Sequence, residues 1–159
     1  MSLTPLDEAL GQVLARVGPP VETCEMPLLE ALSHTLAETV VSPIAVPGDD
    51  NSAMDGYALR AAEAGQVLQV SQRIPAGAVG QTLLPGTAAR IFTGAPVPPG
   101  ADAVVMQENC VVEGDRLSIA GGVAAGENVR PRGQDIAKGA EVLPVGRVLR
   151  PQDLGLLAS

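Results

Sequence analysis

Glycine and proline interrupt this chain so often beyond Val40 that neither a long helix nor a long strand can continue through it. Both residues disfavour helix interiors, because glycine loses more backbone entropy on folding and proline lacks an N–H donor. Short β-branched runs stand between them, a texture typical of a small, irregular β domain. The first 44 residues instead carry apolar residues at helical spacing. The change in composition predicts a domain boundary near residue 45.

Two short helices are predicted before that boundary. Thr4 can cap the first helix and Pro5 suits its first position, while Pro27 opens the second helix. We expect the helices to pack together through their apolar faces, because helices this short are not stable alone. These faces are formed by Leu6, Leu10, Val13, Leu14 and Val17 in the first helix and by Leu28, Leu29, Leu32 and Leu36 in the second.

Five strands are predicted beyond the boundary, at residues 67–71, 88–92, 103–106, 110–112 and 116–119. The last two flank Glu113-Gly114-Asp115 and are typical of a β-hairpin. Residues 142–148 predict a further strand pair that turns at Pro144-Val145-Gly146. Pro151 then opens a helix that stops at Ser159 with apolar residues in its last turn. We therefore expect this chain to be part of a longer protein.

Charge and composition exclude several classes of function. The net charge of −8 would repel a nucleic-acid backbone, and the only aromatic residues are Tyr57 and Phe92. Two cysteines without CxxC spacing and a single histidine indicate neither a disulfide framework nor a zinc site. No leader-like start and no uninterrupted apolar run of ~18 residues is present. We expect a cytoplasmic protein that binds neither nucleic acid nor membrane.

Three polar, glycine-containing loops are the candidates for chemistry, at residues 46–58, 92–98 and 128–136. Their carboxylate, hydroxyl and guanidinium groups suit an anion bound together with a hard cation such as Mg²⁺. Each loop taken alone can also be an ordinary turn whose polar side chains satisfy backbone donors. The sequence leaves open whether the loops converge. The groups belong to Asp50, Asp55, Asp135, Thr93, Arg130 and Arg132.

Four segments of the chain resemble the MoeA family of molybdopterin molybdenumtransferases, whose eukaryotic counterpart is the E domain of gephyrin. They are Asp50-Asn51-Ser52-Ala53-Met54-Asp55-Gly56-Tyr57-Ala58, Thr93-Gly94-Ala95-Pro96-Val97-Pro98, Ala103-Val104-Val105-Met106-Gln107-Glu108 and Arg130-Pro131-Arg132-Gly133-Gln134-Asp135-Ile136. They follow the family's order over essentially the whole chain. The resemblance implies an α+β fold with two domains. A helical dimerisation domain would take residues 1–44 plus 140–159, and an inserted, irregular, mainly β domain residues 45–139.

The resemblance also implies a reaction. Enzymes of this family cleave adenylated molybdopterin, release AMP and place molybdate on the pterin dithiolene, assisted by a divalent cation that is usually Mg²⁺. The implied assembly is a homodimer with a composite active site, in which loops of the β domain face a nucleotide-fold domain of the other subunit. A molybdopterin adenylyltransferase is the implied upstream partner.

Roles for single residues follow from the same resemblance. Asp55 and Asp135 are expected to hold the cation or a water on it, and Thr93 to hydrogen-bond an oxyanion. Arg130 is expected to neutralise phosphate or molybdate charge. The catalytic set is therefore Asp55, Thr93 and Asp135. The cofactor-binding set is Arg130 and Arg132 with Asn51 and Ser52, of which the last two are expected to shape the loop.

Two departures from the family pattern qualify the resemblance. Asp49 stands where the family commonly has an aromatic or apolar residue, and nothing in the chain resembles the family's following Gly- and Asp-rich domain. We therefore expect the chain to be inactive alone. The alternative is a non-catalytic scaffold of the same fold that binds a partner, as the gephyrin relative does. Loss of the loop carboxylates would favour that reading, and the chain keeps them. An unrelated metal-binding β domain would require the match of several loops to be coincidental.

Overall fold

The computed structural model describes residues 4–18 and 22–159 of the chain. Its described residues mix strands with two α-helices, which confirms the predicted α+β class. Neither helix has the length and apolar content that a membrane crossing needs. The elements are α1 (Leu6–Leu14), β1 (Val40–Val41), β2 (Asn51–Ser52), β3 (Gly56–Leu59), β4 (Leu68–Ile74), β5 (Thr87–Ile91), β6 (Ala103–Met106), β7 (Cys110–Glu113), β8 (Arg116–Ile119), β9 (Val129–Arg130), β10 (Glu141–Leu143) and α2 (Pro151–Ala158).

The chain divides into two compact units. One consists of Met1–Val40 together with Leu143–Ser159, and the other of Val41–Val142. The second unit is thus an insertion between the two parts of the first. The sequence predicted the corresponding domain boundaries near residues 45 and 139. All the residues of the three candidate loops belong to the inserted unit.

A six-stranded sheet forms the body of the inserted unit, in the order β6-β3-β5-β4-β8-β7. β4 and β5 run parallel and the other neighbours antiparallel. Alternate residues of the same strands enter two different buried clusters, which therefore lie on opposite faces of the sheet. The first contains Ala58, Ile74, Leu83, Ala89, Ile91, Ala95 and Val104, and the second Leu59, Ala64, Leu68, Ala88, Val105 and Leu117.

Most of this sheet lies where the sequence predicted strands. β4, β5, β6 and the β7–β8 hairpin coincide with the five predicted runs to within a few residues, and the hairpin turns at Gly114-Asp115. β3 is the exception. The sequence assigned it to a polar loop because Asp55-Gly56 is a common turn pair. In the structure it pairs with both β5 and β6 and its residues are largely buried.

Gly56 allows β3 to approach β6 closely. A methyl group built on its Cα would lie only 1.9 Å from the carbonyl oxygen of Val105. No rotamer change can relieve that overlap, because the clashing atom is backbone. Gly56 is therefore a requirement of the strand pairing rather than a turn residue.

The other unit departs from the sequence prediction at its second helix. The segment after Pro27 forms a single 3-10 turn, Leu28–Glu30, and the predicted helix through Leu36 is wrong. Ser33 adopts a positive φ of 67°, which ends any right-handed helix. The backbone amide of Leu36 then donates to the carbonyl oxygen of Arg147 at 2.9 Å. Long-range backbone pairing here outweighs the apolar periodicity of the leucines.

The predicted packing of α1 onto a second helix is also wrong. The helix begins after Pro5, which takes the N-cap position expected for Thr4, and no side chain caps it. None of its residues is buried, and Leu6 is 80% exposed. The core of this unit forms elsewhere. It consists of Ala31, Leu143 and Leu149, with Leu154 and Leu157 of α2 packed against them.

The C-terminal segment differs from the predicted strand pair as well. The predicted turn after Pro144 is confirmed, with the Arg147 amide donating to the Pro144 carbonyl oxygen at 3.3 Å. The strand pairing is wrong, because β10 pairs with β1 and Val148 bridges Thr35. The predicted helix at Pro151 is confirmed as α2. Asp153 in its first turn is 4% exposed and accepts hydrogen bonds from the side chains of Arg147 and Arg150. The two arginine side chains neutralise this buried carboxylate in the first turn of α2.

We expect Gly56→Ala to lower the free energy of unfolding by at least about 2 kcal/mol, because the added methyl group overlaps the Val105 carbonyl. Urea unfolding followed by circular dichroism measures the change. Gly65→Ala is the matched control, since a methyl group there meets no atom within 4 Å. Equal stability of the two variants would contradict this account of Gly56.

Candidate functional site

The three candidate loops meet at β2. Asn51 and Ser52 pair antiparallel with Arg130 and Val129 of β9, which joins the first loop to the third. The Ser52 amide donates to the Ala95 carbonyl oxygen at 2.9 Å, and so the first loop is joined to the second. The structure thus answers the question that the sequence left open. Two residues of extended chain hold all three loops together.

Asp55 and Thr93 form the best-defined contact of the site. One carboxylate oxygen, Oδ1 of Asp55, accepts from both the backbone amide and the hydroxyl of Thr93, each at 2.8 Å. Asp55 precedes β3 and Thr93 follows β5, and these two antiparallel strands pair Gly56 with Ile91. Among the described residues none donates a hydrogen bond to Oδ2. That oxygen can therefore take a proton, a cation or a ligand donor.

The two hydrogen bonds also set the charge of Asp55. The Thr93 amide, followed by the Thr93 hydroxyl, holds the pKa of the Asp55 carboxyl below its usual range, and the nearby Arg90 guanidinium lowers it further. Asp55 is consequently an anion at neutral pH. An exposed carboxylate with one oxygen fixed and the other accessible can bind a cation or orient a water molecule.

Arg130 and Asp135, both in the third loop, pair with each other. Their side chains form an ion pair and remain about half exposed, at 48% and 45%. The pair keeps the Arg130 guanidinium at the loop surface, where its other donors face solvent. Asp135 could hold a cation only by sharing or releasing Arg130.

Asp50 and Arg132 are joined through the backbone rather than by charge. The Asp50 carboxylate accepts from the Arg132 amide at 2.7 Å, which binds the first loop to the third. Asp50 thus satisfies a backbone donor, as an ordinary turn residue would. The Arg132 side chain forms no ion pair with any described residue, so its guanidinium can take an anion.

Asn51 and Ser52 support the loops from within. Ser52 is buried and its hydroxyl donates to the Met54 carbonyl oxygen at 2.6 Å. Asn51 is half-buried and pairs with Arg130 on one side and Pro96 on the other. Both residues shape the first loop. Ser52 is too enclosed to reach a ligand without rearrangement.

The described residues do not form a complete metal site. Within them, no three His, Cys, Asp or Glu side chains are grouped so that they could hold a metal ion. Mg²⁺ in proteins often takes only one or two carboxylates and completes its shell with waters and substrate phosphates. The free oxygen of Asp55 fits that arrangement. The site therefore suits a cation that arrives with a phosphate ligand.

Arg90 and Gln107 are the site residues that sequence reasoning missed. Arg90 lies in β5 between buried Ala89 and Ile91, and Gln107 directly follows β6. The available signal was a charged residue within an otherwise apolar predicted strand. Such a residue needs a partner, and the structure supplies it from the neighbouring strand.

Comparison with known proteins gives consistent matches. Residues 4–159 match the family described as the MoeA N-terminal region (domain I and II). The molybdopterin molybdenumtransferase of Haemophilus influenzae is 40% identical over 158 residues, covering 97% of this chain and 39% of that protein. Molybdopterin molybdenumtransferase 2 of Mycobacterium tuberculosis is 42% identical over 142 residues, covering 84% of this chain and 35% of that protein.

Solved structures agree with the sequence matches. A crystal structure of the molybdopterin biosynthesis moeA protein from Pyrococcus horikoshii OT3 superposes with a TM-score of 0.85 at 38% identity. The match covers 99% of this chain and 44% of that one. The chain therefore spans less than half the length of these relatives.

We expect Thr93→Val to raise the pKa of Asp55 toward its ordinary value, because the hydroxyl hydrogen bond is lost while the amide bond remains. A carboxyl ¹³C NMR titration measures the shift. A carboxyl group whose pKa is lowered in the folded state stabilises the fold at pH values above its unfolded-state pKa of about 3.9. This stabilisation is lost as the pH falls through the folded-state pKa. The stability deficit of the variant should therefore vanish in acid. Thr87→Val, whose hydroxyl bonds Leu84, is the control. An unchanged Asp55 titration in Thr93→Val would refute the assignment.

Proposed function

The chain belongs to the MoeA N-terminal region family, and from that premise we propose that it forms the N-terminal part of an enzyme of molybdenum cofactor biosynthesis. The enzyme would be a molybdopterin molybdenumtransferase, as its relatives are named. The observation that carries the proposal is the anchored, ionised Asp55 at the meeting point of three loops. A chain that only supported other domains would not need an accessible carboxylate fixed in this way.

The proposed reaction cleaves adenylated molybdopterin, releases AMP and transfers molybdate to the dithiolene. Thr93 fixes one oxygen of Asp55, which leaves Oδ2 to bind a cation or to hold a water molecule for proton transfer at the phosphate. Mg²⁺, when bound, would neutralise charge on the phosphate oxygens. The donor set supports a shared role for Asp55 in holding it, together with waters and the substrate.

Guanidinium groups supply the positive charge that an anionic substrate requires. Arg132 forms no ion pair with a described residue, and Arg130 is held at the surface by Asp135. Both can bind phosphate or molybdate oxygens through two parallel hydrogen bonds. We propose that the main role of Asp135 is to orient the Arg130 guanidinium. A direct role on the cation would require the ion pair to open.

The complete site needs more than this chain. The matched relatives are more than twice as long, so residues beyond this segment would form the remainder of the site. We propose a homodimer with a composite active site, supplied by a molybdopterin adenylyltransferase acting upstream. The two free cysteines, Cys24 and Cys110, agree with a reducing, cytoplasmic setting.

A partner-binding scaffold of the same fold is the second candidate. The observation in its favour is the apolar face of α1, where Leu6, Leu10 and Val13 are 80%, 52% and 61% exposed. The same face would equally serve a homodimer. The accessible Oδ2 oxygen of Asp55 favours the enzyme, which remains the preferred proposal.

We expect Asp55→Asn in the full-length protein to reduce molybdate insertion by about 10²- to 10⁴-fold, the range lost with a positioned acid–base group. The amide is nearly isosteric but carries no charge. Release of AMP and formation of the molybdenum cofactor are the measurements. Glu113→Gln, an exposed acid in β7, is the control and should leave the rate unchanged. Undiminished activity of Asp55→Asn would exclude the proposed role.

Calorimetric titration separates one wall of the site from a complete site. We expect adenylated molybdopterin with Mg²⁺ to bind the full-length protein and to give no measurable heat with this chain alone, because the loops supply only part of the contacts. Comparable affinity for both would mean that these loops carry most of the binding, contrary to the composite site.

A further inference from the structure

Arg90 connects the two strands that present Asp55 and Thr93. Its Nη1 atom donates to the carbonyl oxygen of Gly56 at 2.8 Å and to that of Ile91 at 3.3 Å. Its Nη2 atom donates to the side-chain oxygen of Gln107. Arg90 forms no ion pair with any described residue. The guanidinium therefore bonds backbone and amide oxygens where a carboxylate partner would be expected.

Two of the three acceptor residues, Gly56 and Gln107, lie next to Asp55. Gly56 is the following residue, and the Gln107 backbone amide donates to the Asp55 carbonyl oxygen at 3.0 Å. One guanidinium thus holds the carbonyl of the residue after Asp55 and also the side chain of Gln107, whose amide binds the Asp55 carbonyl oxygen. These bonds oppose movement of the Asp55 backbone.

The same guanidinium also contacts the Thr93 side of the site. Its central carbon lies 4.4 Å from the ring centroid of Phe92, which precedes Thr93, and 5.2 Å from that of Tyr57, which follows Gly56. Cation–π contact with two rings together with forked hydrogen bonding is a combination that arginine provides and lysine does not.

We infer that Arg90 is a positioning residue for the Asp55–Thr93 pair: it fixes the relative placement of the two side chains through Gly56, Gln107 and Phe92 without contacting the substrate. The inference rests on the proposed function for its catalytic consequence, while its structural part stands on these contacts alone. Groups that react must be held within about half an ångström, and a displacement of about 1 Å can cost about 10²-fold in rate. The positive charge of Arg90 additionally favours the ionised Asp55.

Arg73 provides a matched control. It is the register partner of Arg90 on the parallel strand β4 and lies at the same 4.4 Å from the Phe92 ring centroid. Its guanidinium donates to no described residue, whereas that of Arg90 makes three hydrogen bonds. Arg73→Gln and Arg90→Gln remove the same charge beside the same ring, and they differ in the bonds to Gly56, Ile91 and Gln107.

The test compares Arg90→Gln, Arg90→Lys and Arg73→Gln in the full-length protein. We expect Arg90→Gln to lower kcat by about 10²-fold with KM little changed, since alignment and not substrate contact is lost. Hydrogen exchange of the Thr93 amide should accelerate, because its acceptor Asp55 is no longer held, while exchange in the β7–β8 hairpin stays as in the wild type. Arg90→Lys should be intermediate and Arg73→Gln close to the wild type.

Several outcomes would overturn the inference. They are Thr93 exchange that is unchanged in Arg90→Gln, an equal effect of Arg73→Gln, or a rise in KM without loss of kcat. If neither Arg90 variant folds, Arg90 is a folding determinant and the positioning role is likewise rejected. Failure of the proposed function is read separately, from retained activity in Asp55→Asn. The exchange measurement stands even if the reaction proves to be a different one.

Discussion

The close pairing of β3 with β6 is the constraint on which the inserted unit depends. Only glycine fits at position 56, because any other residue would place its Cβ atom 1.9 Å from the carbonyl oxygen of Val105. With β3 seated between β6 and β5, the register places Gly56 opposite Ile91 and Met106. Asp55 then lies beside Thr93 and Gln107 at the strand ends. The site geometry thus follows from a backbone packing requirement one residue away.

The core of the inserted unit is built from aliphatic side chains. Its two buried clusters contain only Ala, Val, Leu and Ile side chains, which interdigitate on both faces of one sheet. The two aromatic residues are half-buried, and Tyr57 packs against the second cluster. Phe92 lies under both Arg73 and Arg90, and Tyr57 under Arg90. In a chain of net charge −8, this concentration of arginine near the candidate loops is suited to an anionic ligand.

The other unit illustrates how tertiary pairing overrides local periodicity. Leucines at helical spacing after Pro27 predicted a helix, yet Ser33 adopts a left-handed conformation and the following residues pair with the C-terminal segment. The backbone hydrogen-bond partners of this segment, Arg147 and Leu149, lie more than one hundred residues away along the chain. The pattern of apolar residues in a short stretch of sequence does not reveal such distant partners. Of these leucines, Leu36 packs against the core formed by Ala31, Leu143 and Leu149, whereas Leu29 and Leu32 stay exposed.

The sequence by itself determined the α+β class, most strands of the sheet, the family resemblance and the residue types of the candidate site, because alternation, turn chemistry and motif order are local properties. It did not determine β3 as a strand, since Asp55-Gly56 has the local chemistry of a turn. Only the tertiary structure decided that the three loops meet at β2, that Asp135 pairs with Arg130, and that Arg90 links the strands carrying Asp55 and Thr93. The first and last of these contacts join residues far apart in the chain, and their formation depends on strand register that no local pattern specifies. Arg130 and Asp135 are only five residues apart, but their pairing depends on how the third loop folds.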